Sequence, residues 1–151
     1  MLLVVTYVPV RTTRHTARAP RRRAASRPHP TAEAFVPPPP ARRSLRVFSI
    51  DPSLATQLDT ALISAVTLDV PWETLAPGPV GEYLEVIDID PASGCLYEPV
   101  DLDHPRLLAQ QGLAPSEGTP QFHQQMVYAV ASLTIRNFER ALGRRALWRP
   151  D

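Results

Sequence analysis

The clearest hydrophobic pattern in the sequence lies near its C-terminal end. Residues 121–142 (QFHQQMVYAVASLTIRNFERAL) predict one long helix, because Thr119 suits its N-cap, Pro120 its first position and Gly143 its end. At 100° per residue, the apolar side chains cover about 220° of the helix circumference. The remaining wedge is polar and contains Gln125, Ser132, Arg136 and Glu139. We therefore expect this helix to be buried on most of its sides. Because a small sheet covers only about half of such an arc, we expect further polypeptide or a partner to supply the rest of the cover.

Shorter alternating patterns ahead of this helix predict β-strands at residues 45–50, 66–70 and 82–90. Residues 91–94 (PASG) have the composition of a turn, so we expect residues 95–100 to return as the hairpin partner of 82–90. One or two helical turns are expected within residues 104–111. The predicted fold class is α+β: a small antiparallel sheet or hairpin followed by one long buried C-terminal helix.

Charge divides the chain into two unlike parts, although its net charge is only +1. Residues 1–46 carry ten arginines and one acid, Glu33, whereas the other 105 residues carry six arginines and fourteen acids. Eight of the 18 prolines also lie in the first part, including the run 37–40. Such a composition buries too little apolar surface to offset the entropy of folding. We predict a disordered leader or linker at residues 1–44 and a folded unit at residues 45–151.

The leader permits several interpretations. It could be a non-functional extension from a start codon assigned too far upstream, a transit sequence, or a proline-rich ligand for an aromatic groove. It could also contact polyanions, and the candidate anion contacts are then Arg21, Arg22 and Arg23. Nucleic acid is the less favoured partner, because aromatic residues for base stacking are nearly lacking in this segment.

Targeting signals are weak. The apolar residues 1–10 have no basic residue ahead of them and no small-residue cleavage site after them, so they do not predict a signal peptide. No stretch reaches the roughly 18 to 20 apolar residues of a membrane span. We favour a cytoplasmic location, and the single cysteine, Cys95, rules out an internal disulfide.

No recognised catalytic motif occurs in the sequence, and no residue is assigned a catalytic or metal-binding role. Asp88 and Asp90 resemble the start of a calcium loop, but the pattern lacks its later ligands, which favours a polar hairpin end. The run 101–104 (DLDH) favours helix capping over metal binding. His123, Thr134 and Asn137 share one side of the long helix, and we interpret them as a buried polar structural site.

Residues 91–145, and in particular FHQQMVYAV through ALGRR, resemble the amino-terminal region of bacterial proteins grouped with the gluzincin (thermolysin-like) zinc metallopeptidases. The resemblance extends back to about Arg46. It implies a lobe that precedes a catalytic lobe with the H-E-x-x-H zinc motif, which this sequence lacks. No cofactor is therefore expected in this chain, and zinc is expected only if a catalytic lobe follows.

Two functions remain open. The resemblance implies the N-terminal, non-catalytic portion of a gluzincin-like metallopeptidase, inactive as an isolated chain, with the downstream lobe as the partner of the long helix. The alternative is a small α+β interaction module that dimerises or binds a partner through this apolar helix, with a basic disordered arm for polyanions.

Overall fold

The computed structural model describes residues 2–6, 38–49 and 65–146 of the chain. The elements in these ranges are four strands and two helices. They are β1 Leu2–Thr6, β2 Arg42–Phe48, β3 Ala65–Pro71, β4 Glu85–Ile89, α1 Pro105–Ala109 and α2 Pro120–Leu142. The predicted α+β class is confirmed, with small antiparallel sheets followed by the long helix.

The strands form two antiparallel pairs. β1 pairs with β4, with Val4 opposite Ile87, and β2 pairs with β3, with Leu45 opposite Leu68. Burial alternates along β2, where every second side chain from Arg43 onward points inward. This period of two is the pattern that identifies the strand in the sequence.

Two features of this arrangement differ from the prediction. β1 lies inside the segment 1–44 that we expected to be disordered, and β2 begins at Arg42 rather than at residue 45. The rest of the leader that precedes residue 38, and residues 50–64, lie outside the described residues.

The predicted hairpin strand at residues 95–100 is wrong. This segment pairs with β4 through one isolated bridge, Ile89 to Leu96, in which the Asp90 N–H donates to the Cys95 carbonyl at 2.9 Å and the Tyr97 N–H to the Asp88 carbonyl at 3.0 Å. After that point its backbone turns to α2, where the side chain of Gln124 binds Glu98 and Val100. A helix side chain thus replaces the strand neighbour that the pattern led us to expect.

The core lies where α2 crosses the strands. α2 packs against β2, β3 and β4. The buried apolar side chains come from these elements and from the loops between them: Leu45, Val47, Val70, Leu75, Leu84, Val86, Val100, Leu102, Tyr128 and Ala129.

The ends of α2 largely follow the prediction. Gly143 closes the helix with φ 67°, a left-handed conformation that glycine adopts without strain. Pro120 occupies the first turn, as predicted. The Thr119 hydroxyl does not cap the helix and instead bonds the Ser116 hydroxyl at 2.8 Å.

Candidate functional site

The inner side of α2 carries two consecutive glutamines that bind loop backbone. Gln124 accepts the Val100 N–H at 2.9 Å and donates to the Glu98 carbonyl at 3.2 Å. An amide side chain offers the same donor and acceptor as a peptide group, so it pairs with an extended segment as a strand would. The helix thereby fixes residues 98–100 without a sheet.

Gln125, also on the inner side, makes equivalent contacts with a different loop. It accepts the Leu113 N–H at 2.7 Å and donates to the Arg46 carbonyl at 2.8 Å, which connects α2 to the loop at residues 111–113 and to β2. Gly112 lies so close that a Cβ there would be 2.5 Å from Gln125 Oε1, and its φ of 80° also favours glycine. The polar wedge of the helix is therefore its buried side, opposite to our expectation.

A second polar network surrounds Glu73, which follows β3. Its Oε1 accepts the Tyr128 hydroxyl at 2.5 Å, and its Oε2 accepts the Glu82 N–H at 2.6 Å. Burial, together with the neighbouring Glu73 carboxylate, raises the pKa of Tyr128 well above its usual value. Tyr128 therefore stays protonated and acts as a hydrogen-bond donor between the helix and the β3 end.

Arg43 connects this network to the loop before α1. The guanidinium is almost fully buried, donates to the Leu102 carbonyl at 2.5 Å and to the Glu73 carbonyl at 2.9 Å, and forms an ion pair with Asp103. It also lies 4.5 Å from the centre of the Trp72 ring. Several partners thus compensate for the burial of a positive charge.

A cavity of about 240 Å³ opens beside Glu73, between the end of β3, the segment before β4 and the C-terminal half of α2. Arg145 closes one side, where it pairs with Glu82 at 2.6 Å and contacts the Tyr83 hydroxyl. Ser132 and Arg136, one helical turn apart on α2, line the opposite wall.

The outer side of α2 is apolar and has little cover from the described residues. Val130 is 44% exposed, Phe138 62% and Leu142 54%, although all three are large apolar residues. The described residues thus cover the helix on one side only, and the remaining cover that we expected from further polypeptide or a partner stays a prediction. Several large exposed apolar side chains on one side of a helix, here interspersed with Thr134 and Asn137, are typical of a binding face.

The structure does not form the buried polar site that we predicted from His123, Thr134 and Asn137. Thr134 and Asn137 are exposed, and the Thr134 hydroxyl bonds the Val130 carbonyl of its own helix at 2.8 Å. His123 is half-buried, with a buried Nδ1 that has no hydrogen-bond partner. The three residues share one side of α2 as expected, but it is the outer side.

The loop residues considered for metal binding have structural roles. Asp90 accepts the Ser93 hydroxyl at 2.6 Å and caps the turn, while His104 Nδ1 accepts the Arg106 N–H at 3.2 Å at the start of α1. Asp103 accepts the Leu75 N–H at 2.9 Å. No group of three potential metal ligands is found among the described residues.

Sequence reasoning overlooked most of the polar groups that position this region. Gln124, Glu73 and Arg43 belong to no sequence motif. They come close only because α2 packs on β2 and β3 in the folded chain. The candidate anion contacts Arg21, Arg22 and Arg23 lie outside the described residues.

No family model matches this sequence, and no curated protein or solved structure is significantly similar to it. Among the described residues, no helix combines the length and the apolar character that a membrane crossing requires.

Proposed function

We propose that this chain is a non-catalytic interaction module that associates with a second copy of itself through the outer side of α2. The observation that carries the proposal is the exposed apolar surface of Val130, Phe138 and Leu142. Leaving such side chains in water is unfavourable, and a partner helix would cover them.

The spacing along this face suits a second helix. Positions 123, 127, 130, 134, 137 and 141 alternate by four and three residues, which is the spacing of a two-helix seam, and Phe138 and Leu142 flank this line on one side. Their side chains are mostly small or β-branched, and Val130, Thr134 and Ala141 among them are exposed, so two backbones can approach closely. Asn137 adds a polar group of the kind that fixes register in such seams.

Charge favours an antiparallel pair of identical helices. Arg140 and Arg144 are exposed at the C-terminal end, whereas the N-terminal half of α2 has no basic residue and follows the exposed Glu117. If two copies cross at Val130, Arg144 of one lies opposite the region of Glu117 of the other. An antiparallel pair also opposes the two helix dipoles, whereas a parallel pair would bring like charges together.

The predicted association is weak. A 23-residue helix is about 35 Å long, and one such face buries less area than an obligate dimer interface. We expect a Kd on the order of tens of micromolar, visible as a concentration-dependent sedimentation coefficient.

Sedimentation of the full chain tests this proposal. Val130→Glu should abolish association, whereas Val66→Glu, the same change at a similarly exposed valine (42%) on β3, should leave it intact. Arg144→Glu and Glu117→Arg should each weaken association, and the double variant should restore it. A wild-type chain that stays monomeric at millimolar concentration would refute the proposal.

The metallopeptidase resemblance supplies a second candidate. In it, the chain is the N-terminal, non-catalytic portion of a gluzincin-like enzyme, and the outer side of α2 packs against a catalytic lobe that holds the zinc. The resemblance of residues 91–145 and the same apolar face support this alternative. Translating the codons beyond Asp151 distinguishes the two: an in-frame H-E-x-x-H favours the lobe, and a genuine stop codon favours self-association.

A further inference from the structure

The cavity beside Glu73 lies on the inner side of α2, away from the face described above. Its apolar wall consists of Pro71, Leu84, Ile135 and the Trp72 indole. A volume of about 240 Å³ holds roughly eight water molecules, which limits a ligand to a small molecule.

The acidic groups in the cavity wall are all satisfied. Glu73 accepts the Tyr128 hydroxyl and the Glu82 N–H, Glu82 is paired with Arg145, and Glu139 accepts the Ala146 N–H at 3.0 Å. These carboxylates are therefore already engaged with the protein and do not call for a cation.

Two groups that line the same cavity are not engaged by the carboxylates of its wall. The Ser132 hydroxyl oxygen is buried and lies beside the Tyr128 hydroxyl. The Arg136 guanidinium is half-buried and forms neither an ion pair nor a hydrogen bond there. Because these residues are one turn apart on α2, both can reach one ligand group.

We propose that this cavity binds a small organic carboxylate with a planar apolar body. The guanidinium fork of Arg136 matches the two oxygens of a carboxylate, and the Ser132 hydroxyl supplies a further donor. The apolar body lies between Ile135, Leu84 and the Trp72 ring. A more highly charged anion such as phosphate is disfavoured, because the acids in the wall outnumber the arginines.

Binding is measured with benzoate as the probe, from the fluorescence of Trp72 in the full-length Trp148→Phe chain, which leaves one tryptophan. We expect a saturable change with benzoate at millimolar concentration. Benzamide, which has the same shape without the charge, should bind at least tenfold more weakly, and inorganic phosphate should not compete with benzoate.

Substitutions test the assigned residues. Arg136→Gln should weaken benzoate binding at least tenfold, and Ser132→Ala a few-fold, whereas Arg106→Gln, at an exposed arginine on α1 outside the cavity wall, should leave it unchanged. Arg136→Lys keeps the positive charge but lacks the paired N–H donors of the guanidinium, so it should also bind benzoate more weakly. This variant replaces Arg136→Gln if the glutamine variant does not fold.

Several results would overturn the assignment: the absence of a saturable signal, equal binding of benzoate and benzamide, stronger binding of phosphate, or unchanged affinity in both Arg136 variants. None of these results depends on self-association, so the two proposals fail separately.

Discussion

The inner and outer sides of α2 reverse the usual relation between polarity and burial. The inner side carries Gln124, Gln125 and Tyr128, all almost fully buried, whereas the outer side exposes Val130 and Phe138. The inner polar groups are tolerated because each has backbone or carboxylate partners.

The inner side combines apolar packing of Phe122 and Ala129 with hydrogen bonds from the two glutamines. The segments at residues 98–100 and 111–113 have no strand neighbours for several of their backbone groups, so amide side chains from α2 supply the partners. A leucine at either glutamine position would bury more apolar area but would leave those groups unpaired.

The largest effect is expected for Gln125→Leu. The change removes the bonds to Leu113 and Arg46 and leaves buried backbone groups without partners, so the free energy of unfolding should fall by about 3 kcal/mol. Gln121→Leu, which loses one bond to the Glu98 carbonyl, should cost no more than about 1 kcal/mol. Urea denaturation followed by circular dichroism measures both. Equal losses would mean that the inner amides have no special role.

Tyr128→Phe should have the next largest effect. It removes the hydroxyl that donates to Glu73 and leaves that carboxylate short of a partner, so we expect a loss of about 2 kcal/mol in the free energy of unfolding. Tyr97→Phe, at an exposed tyrosine, is the control and should change it by less than about 0.5 kcal/mol. A stable Tyr128→Phe protein would show that the Glu73 bond contributes little.

Asp88→Asn should stabilise the fold at neutral pH by an amount on the order of 1 kcal/mol. Asp88 is buried beside Gln124, and desolvation raises its pKa by more than this amide and the nearby His123 lower it. The folded state therefore holds the Asp88 proton more tightly than the unfolded chain does. Wild-type stability falls as the pH rises from the pKa of this carboxyl in the unfolded chain to its pKa in the folded chain. The gain from Asp88→Asn should thus grow with pH and vanish in acid.

Asp90, in the turn after β4, provides a control of opposite sign. Bonds from the Ser93 hydroxyl and the Ala92 N–H lower its pKa, so its contribution is present at neutral pH and is lost as the pH falls. Asp90→Asn should therefore reduce stability at neutral pH and have no effect in acid. Thermal melts of both variants from pH 3 to pH 7 measure these slopes, and slopes of the same sign would contradict the burial argument.

The smallest effect on the monomer is expected on the outer side. Phe138→Glu should change the free energy of unfolding by less than about 0.5 kcal/mol, because the ring is already 62% exposed. The measurement is made at low micromolar concentration, where the chain is monomeric. A loss of several kcal/mol would show that this ring is covered in the folded chain.

Local sequence patterns predicted the positions of the helices and strands better than they predicted which residues each element contacts. The alternation of apolar residues in β2, and Pro120 and Gly143 at the two ends of α2, located both elements to within a few residues. The hairpin at residues 95–100 failed because Gln124 offered its backbone another partner. The outer position of Thr134 and Asn137 was missed because a helical wheel ranks faces by hydrophobicity and ignores hydrogen bonding.

The sequence by itself determined the α+β class, the long C-terminal helix and the separation of charge along the chain, because these depend on local periodicity and composition. Only the tertiary structure decided which side of α2 faces inward. It also brought Arg136 and Ser132 to one cavity and gave Arg43 its partners. Those outcomes depend on which backbone groups remain unpaired after the strands form, and that is a property of the folded chain.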